Sequence, residues 1–191
     1  GWYSLNIAAA YRGATVHAFE PVPTTFTLLK ENVELNRFRN ITLNNFGFSD
    51  APGKFPIYSY SEGSGNSSLQ NLSGRDDIVP IDCEFETIDS YANKLGIKPT
   101  LIKSDVEGAE LLVLRGGAET IIREKPVLFL EILRKWTAKF NYNPNEIFDF
   151  LKAEGYRAFV IDGKALVEFR QMTESTDKTN FLFLHREVHA K

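Results

Sequence analysis

One pattern constrains this chain more than any other: a short apolar run that ends on an acid and turns at once into a helix-like segment. Val16-His17-Ala18-Phe19 stops at Glu20 and is cut off by Pro21; TLIKSD stops at Asp105; PVLFLEI carries Glu131 at its end. Short apolar runs bounded by turn residues read as buried strands. The segments between them are amphipathic, as in Thr24 to Asn36, where Phe26, Leu29 and Val33 share a face, and these read as helices. Alternation of the two predicts an α/β fold: a mostly parallel sheet with helices on both faces and an antiparallel final strand at Asn180 to His185. Ligands of such sheets gather at the carboxyl ends of the strands, where the loops converge. The three acids are therefore placed at the ligand edge.

The remaining elements follow the same logic. Gly1 to Ala10 is predicted as a helix, Ala14 to Glu20 as a strand, and Ile41 to Phe48, Lys54 to Tyr60 and Ile78 to Phe85 as further strands. Thr87 to Leu95 reads as a short helix. A helix is expected from Glu107, breaking at Gly116-Gly117 and restarting through Ile122, with another at Asn145 to Ala153 and a strand at Arg157 to Ile161. Tyr60 to Asp76 is the long polar loop. No repeat or linker divides the 191 residues, so the chain reads as a single domain spanning 1–191.

Charge and composition narrow the function. A net charge of −3 and a pI near 5.7 give no electrostatic reason to hold a polyphosphate backbone, so no nucleic-acid partner is expected. No apolar run approaches the roughly 20 residues of a membrane span. The single cysteine, Cys83, rules out an internal disulfide and fits a reducing compartment, and a cytoplasmic location is expected. His17, His185 and His189 share no metal or triad spacing, and the serines of Ser64 to Ser68 lack the strand-turn-helix context of a hydrolase nucleophile. No metal ligand set emerges.

A carboxylate closing a strand in a nucleotide-binding half commonly accepts both ribose hydroxyls, and it lies about 20 residues beyond a glycine-rich turn. Counting back from Glu20 reaches Gly1. The reading therefore expects a strand and most of that turn ahead of Gly1, making the domain N-terminally incomplete. A second reading stands beside it, in which Glu20 caps the helix after Pro21. For Asp105 and Glu107 the corresponding structural reading is a helix start, with Asp105 as N-cap.

Several stretches together resemble the FkbM family of S-adenosylmethionine-dependent methyltransferases: Gly1-Trp2-Tyr3-Ser4-Leu5, VHAFEPVP with FTLLKENVELN, LNNFGFSDAPGKFPIY, the SGNSSL loop, ETIDSYANKLGI, LIKSDVEGAELLVLRGGAETI and PVLFLEI. The resemblance runs to about Asp162, and IKSDVEGAE is its most specific part. Ser104 departs from the apolar residue usual there. The resemblance implies the Rossmann-like class I methyltransferase fold, with a seven-stranded sheet, and S-adenosyl-L-methionine as cofactor. It implies that Glu20, followed by Pro21, holds the ribose, that Gly1, Tyr3 and Ser4 face the methionine end, and that Phe46, Gly47, Phe48, Ser49 and Asp50 face adenine. Asp105, Glu107 and Glu131 would then lie near the methyl group, and Asn66, Ser67 and Ser68 in a loop at the acceptor.

Methyl transfer to a hydroxyl is an in-line displacement in which positioning does most of the work, and a nearby carboxylate helps by taking the hydroxyl proton. Asp105 is expected to be that base, since it ends a buried strand, whereas Glu107 is expected in the first helical turn. The acceptor implied is a small molecule or glycan: a hydroxyl on a sugar, glycan or polyketide-type compound. Two other classes compete. A nicotinamide-dependent oxidoreductase would need a hydride-site pair such as Tyr/Lys, which is absent, and a non-catalytic binding module would keep AFEP without needing acids near the methyl group.

Overall fold

The computed structural model describes residues 1–59, 67–72, 74 and 78–189. Its elements in chain order are α1 (Trp2–Ala10), β1 (Val16–Phe19), α2 (Pro23–Leu35), β2 (Ile41–Asn44), β3 (Gly47–Phe48), β4 (Gly53–Ile57), β5 (Ile81–Glu86), α3 (Ile88–Leu95), β6 (Leu101–Ser104), α4 (Glu110–Arg115), α5 (Ala118–Glu124), β7 (Val127–Glu131), α6 (Arg134–Thr137) with a 3₁₀ turn after it, α7 (Asn145–Ala153), β8 (Tyr156–Asp162), β9 (Ala165–Phe169) and β10 (Asn180–His185). Local chemistry sets many of the ends. Pro23 opens α2, where its missing N–H costs nothing. Thr87 accepts the Ser90 N–H at 3.1 Å to start α3, and Gly96, at φ 65°, closes it.

The fold is α/β, but its strands do not form the single, mostly parallel sheet expected. Among the described residues they form three sheets, ordered β1-β2, β3-β5-β4 and β6-β7-β10-β8-β9. The pairs β1·β2, β3·β5 and β6·β7 are parallel, whereas β4·β5, β7·β10, β8·β10 and β8·β9 are antiparallel. Two connections explain the mixture. β8 and β9 are joined by a tight turn with Gly163 at φ 60°, which returns the chain antiparallel. β10 then inserts between β7 and β8, antiparallel to both, as expected for the closing strand.

Three sequence readings also shift. Ile41 to Phe48 is two strands in different sheets, because Asn45 bends out to donate its side-chain amide to the carbonyls of Glu20 at 2.8 Å and Pro21 at 3.2 Å. β9 was not foreseen, since its ALVEF is mostly exposed and carries no apolar alternation. The helix expected from Glu107 starts only at Glu110.

β7 carries the core. Leu128 and Leu130 are fully buried on one face, with Phe181 and Phe183 of β10, Leu111 and Leu114 of α4, Ile121 of α5 and Phe148 of α7. Each such side chain contributes about 1.5–3 kcal/mol by leaving water. The opposite face of β7 presents Phe129 and Glu131, and there Tyr3 of α1 sets its ring edge-on to Phe129, with centroids 5.7 Å apart. Thus β7 is covered by helices on both faces. No described helix is long and apolar enough to cross a membrane.

Candidate active site at the strand ends

The parallel register of β6 and β7 pairs Lys103 with Phe129 and Ser104 with Leu130. The next residues, Asp105 just past β6 and Glu131 at the end of β7, are therefore neighbours on the face that Tyr3 covers. Their carboxyls lie within hydrogen-bond reach of one another. Burial, then the hydrogen bond and charge of Asp105, hold the Glu131 carboxyl above its ordinary range, opposed by Lys103 and Thr179.

Lys103 is the cation of this group. Its Nζ lies 3.5 Å from Asp105 Oδ2, donates to the Ser104 carbonyl at 3.1 Å, and stands 4.9 Å and 5.1 Å from the ring centres of Tyr3 and Phe129. Burial lowers its proton affinity, and Asp105 and Glu131 act against that. Tyr3 shares the environment, its hydroxyl pushed up by burial and then by Asp105 and Glu131. The structure thus joins Tyr3, expected near the methionine end, to two of the expected catalytic acids.

Glu107 lies in a turn, outside any helix. Its φ is 51° and that of Gly108 is 103°. A left-handed conformation costs a residue with a side chain roughly 1–2 kcal/mol, so the turn must be held from outside. Three groups hold it. Glu110 Oε1 accepts the N–H groups of Val106 and Gly108, each at 3.2 Å. Tyr142 donates to the Gly108 carbonyl at 2.8 Å, and Ser68 Oγ to the Glu107 carbonyl at 2.9 Å. Asp105 is accordingly no helix N-cap: Ala109 occupies the cap position of α4. The Glu107 carboxyl is pushed up to about 7 by burial and by the charges of Asp105, Glu131 and Glu110, with Lys135 opposing.

At the end of β1, Glu20 Oε1 accepts the Val22 N–H at 2.9 Å, which makes it the acceptor at the entry to α2. Its second carboxylate oxygen has no hydrogen-bond partner among the described residues. Burial raises its proton affinity and the Val22 N–H lowers it. Beside it, Phe19, Phe46, Phe48 and Tyr91 form a cluster of rings with every centroid pair between 4.4 and 5.8 Å apart. Tyr91 closes the cluster by donating to Asn44 Oδ1 at 3.2 Å and meeting His17 Nδ1 at 2.8 Å.

The other expected site residues are dispersed. Gly1 packs so tightly that a Cβ there would stand 2.3 Å from Leu29 Cδ1, and Ser4 lies in the first turn of α1. Gly47 is pressed on the Phe85 ring, and the buried Ser49 sets its carbonyl where a Cβ on Gly116 would be 2.0 Å away, with its hydroxyl on Asp50 at 3.2 Å. Gly116 lies past the far end of α4 from the Glu107 turn, so Ser49 and Asp50 are separated from the acids by that helix. Ser67 donates to Ser59 at 3.1 Å, and Asn66 falls outside the described residues. Among the described residues, no three His, Cys, Asp or Glu side chains are grouped to hold a metal ion.

Sequence reasoning missed Lys103, Glu110 and Tyr142. Lys103 had a signal, a lone cation inside the apolar run of β6. Glu110 had one in hindsight, a third acid in DVEGAE that ends 1 % exposed. Tyr142 had none, being brought 34 residues in sequence to Gly108 by the fold alone.

Strand carboxyl ends are where ligands gather in open α/β sheets, and here two neighbouring strand ends carry acids. Residues 2–158 match the Methyltransferase FkbM domain, and the chain belongs to that family. It is similar to Methyltransferase 1 of Beauveria bassiana (strain ARSEF 2860), with 28 % identity covering 61 % of this chain and 54 % of that protein. It is also similar to Methyltransferase sdnD of Sordaria araneosa, with 26 % identity covering 62 % and 57 % respectively. The crystal structure of methyltransferase FkbM from Methylobacillus flagellatus KT has the same fold over 97 % of this chain and 40 % of its own, with a TM-score of 0.56 and 18 % identity. The chain spans a little over half the length of these curated relatives.

Proposed function

We propose that this chain carries the active site of an S-adenosyl-L-methionine-dependent O-methyltransferase, with Glu107 as the base that takes the proton of the acceptor hydroxyl. One observation carries the choice of base. Glu107 is half-buried, lies next to Asp105, Glu131 and Glu110, and ionises near 7, where a base is both available and strong enough to accept a proton.

The residues suit the cofactor on structural grounds. Glu20 has one carboxylate oxygen to spare at a strand end beside a ring cluster, which fits ribose hydroxyls next to a flat base, and the acids near Tyr3 favour a cation. When bound, the cofactor supplies a methyl group on a positively charged sulfur. Glu20 would hold the ribose, Phe46 and its neighbouring rings would border the base, and Tyr3 with Lys103 would shape the methionine end.

Within the chain, the strand ends do the positioning. Lys103 pairs with Asp105, and the charges of Asp105 and Glu131 raise the proton affinity of Glu107. The Glu107 carboxylate takes the hydroxyl proton as the oxygen attacks, and Ser68 fixes the backbone that carries it. The acceptor class supported by the family resemblance is a hydroxyl on a sugar, glycan or polyketide-type molecule.

Calorimetric titration with S-adenosylhomocysteine and, separately, NAD tests the cofactor, and mass spectrometry of hydroxylated acceptors tests for an added methyl group. Binding of the first ligand and methylation of an acceptor are expected. Binding of NAD alone would overturn the reading, and cofactor binding without transfer to any acceptor would favour a binding module.

A further inference from the structure

Glu110 is a carboxylate with no cationic partner in contact among the described residues, 1 % exposed, where the other described carboxylates are at least partly wet. A buried acid of that kind is costly unless it is fully hydrogen-bonded, so its bonds locate what it serves. They converge on one turn. The same oxygen, Oε1, accepts the N–H groups of Val106 and Gly108, the two residues that flank Glu107. Curling a backbone so that alternate N–H groups reach one oxygen leaves the intervening residue in the left-handed region, where Glu107 is found. From the other side Tyr142 donates to the Gly108 carbonyl and stands 3.5 Å from Glu110 Oε2. Gly108 is thereby held at both its N–H and its C=O.

We infer that Glu110 and Tyr142 are positioning residues: a buried carboxylate and a tyrosine hydroxyl that hold the 105–108 turn and thereby aim and bias the Glu107 carboxylate. This rests on the reading of Glu107 as base. Glu107 faces Asp105 after β6, Glu131 at the end of β7, Glu110 of α4 and Lys135 of α6. Of these, Glu110 alone also bonds the turn itself. Its charge raises the proton affinity of Glu107, and its own carboxyl is pushed up to about 7 by burial against the three N–H groups that favour the anion. The Glu107 carboxyl and the Glu110 carboxyl that holds its turn are thus both pushed up to about 7.

The test is a ¹³C-carboxyl NMR titration of the 191-residue chain, with the Glu107 signal assigned through its loss in E107Q. Glu110→Gln keeps an acceptor oxygen and removes the charge, so the Glu107 midpoint should fall by about half a pH unit or more while the chain stays folded. Tyr142→Phe keeps the charge and removes the donor, so amide exchange at Val106 and Gly108 should speed up about tenfold. A purely structural role would lower stability without moving the Glu107 midpoint. The inference is overturned if the midpoint stays put in folded E110Q, or if the two amides exchange unchanged in Y142F, which decides the matter should E110Q fail to fold. If both effects appear but E107Q leaves methyl transfer intact, the base assignment falls and the positioning role stands.

Discussion

Lys103 and Tyr3 stack cation on ring, with Nζ 4.9 Å from the ring centre, and the contact joins β6 to the first turn of α1. A partly desolvated pair of this kind is worth about 0.5–2 kcal/mol. A double-mutant cycle with Lys103→Met and Tyr3→Leu, read by urea unfolding, should give a coupling energy in that range. Additive effects would mean that the two residues merely sit side by side.

Glu20 accepts the Val22 N–H and is proposed to hold the cofactor ribose, and two substitutions separate the two roles. Glu20→Gln keeps an acceptor for the Val22 N–H, so the melting temperature should hold while S-adenosylhomocysteine affinity drops roughly tenfold to a hundredfold through the lost charge-assisted bonds. Glu20→Ala should lose the same affinity and also about 1 kcal/mol of stability with the cap. Unchanged affinity in both, with only Ala less stable, would reduce Glu20 to a cap.

The proposed base and its neighbour should behave differently in a pH–rate profile. Glu107→Gln should cut turnover roughly 10²- to 10⁴-fold, with cofactor affinity nearly unchanged. Asp105→Asn should cost less and should move the rising limb, expected near 7, toward lower pH, because the Asp105 charge helps raise Glu107. A larger loss in Asp105→Asn, with the limb unmoved, would return the base to Asp105.

The ligand edge was legible because period and punctuation agree there: β6 and β7 are apolar runs closed by acids, and Asp105 and Glu131 end up together because parallel strands in register deliver equivalent positions side by side. What could not be read was backbone hand. DVEGAE satisfies every cue for a helix start, and only the 3.2 Å bonds of Glu110 show that the chain first turns left-handed at Glu107. Sheet composition was hidden for a related reason, since the order β7-β10-β8 depends on where the last strand inserts, a choice made by distant packing around Phe181 and Phe183.

Glu110 also predicts how stability depends on pH. Its carboxyl ionises near 7 in the folded chain and near 4.5 in the unfolded one, so between those values the folded chain holds the extra proton and stability falls as pH rises. At roughly 1.4 kcal/mol per unit the full span amounts to about 3.5 kcal/mol at most. Urea unfolding at pH 5.5 and 8 should show wild type losing stability across the window and Glu110→Gln losing clearly less; parallel curves would contradict it.

The bare Cα of Gly108 has an evolutionary consequence. A Cβ there would stand 2.9 Å from two carbons of the Phe140 ring and from the Trp136 carbonyl carbon, on a backbone already at φ 103°. Shrinking Phe140 alone opens a void, and enlarging Gly108 alone forces a clash, so each change is harmful without the other. Because part of the obstacle is backbone, even the double change is only a partial remedy. The turn and the segment after α6 are therefore epistatically tied: along this seam, single steps of laboratory evolution lead downhill.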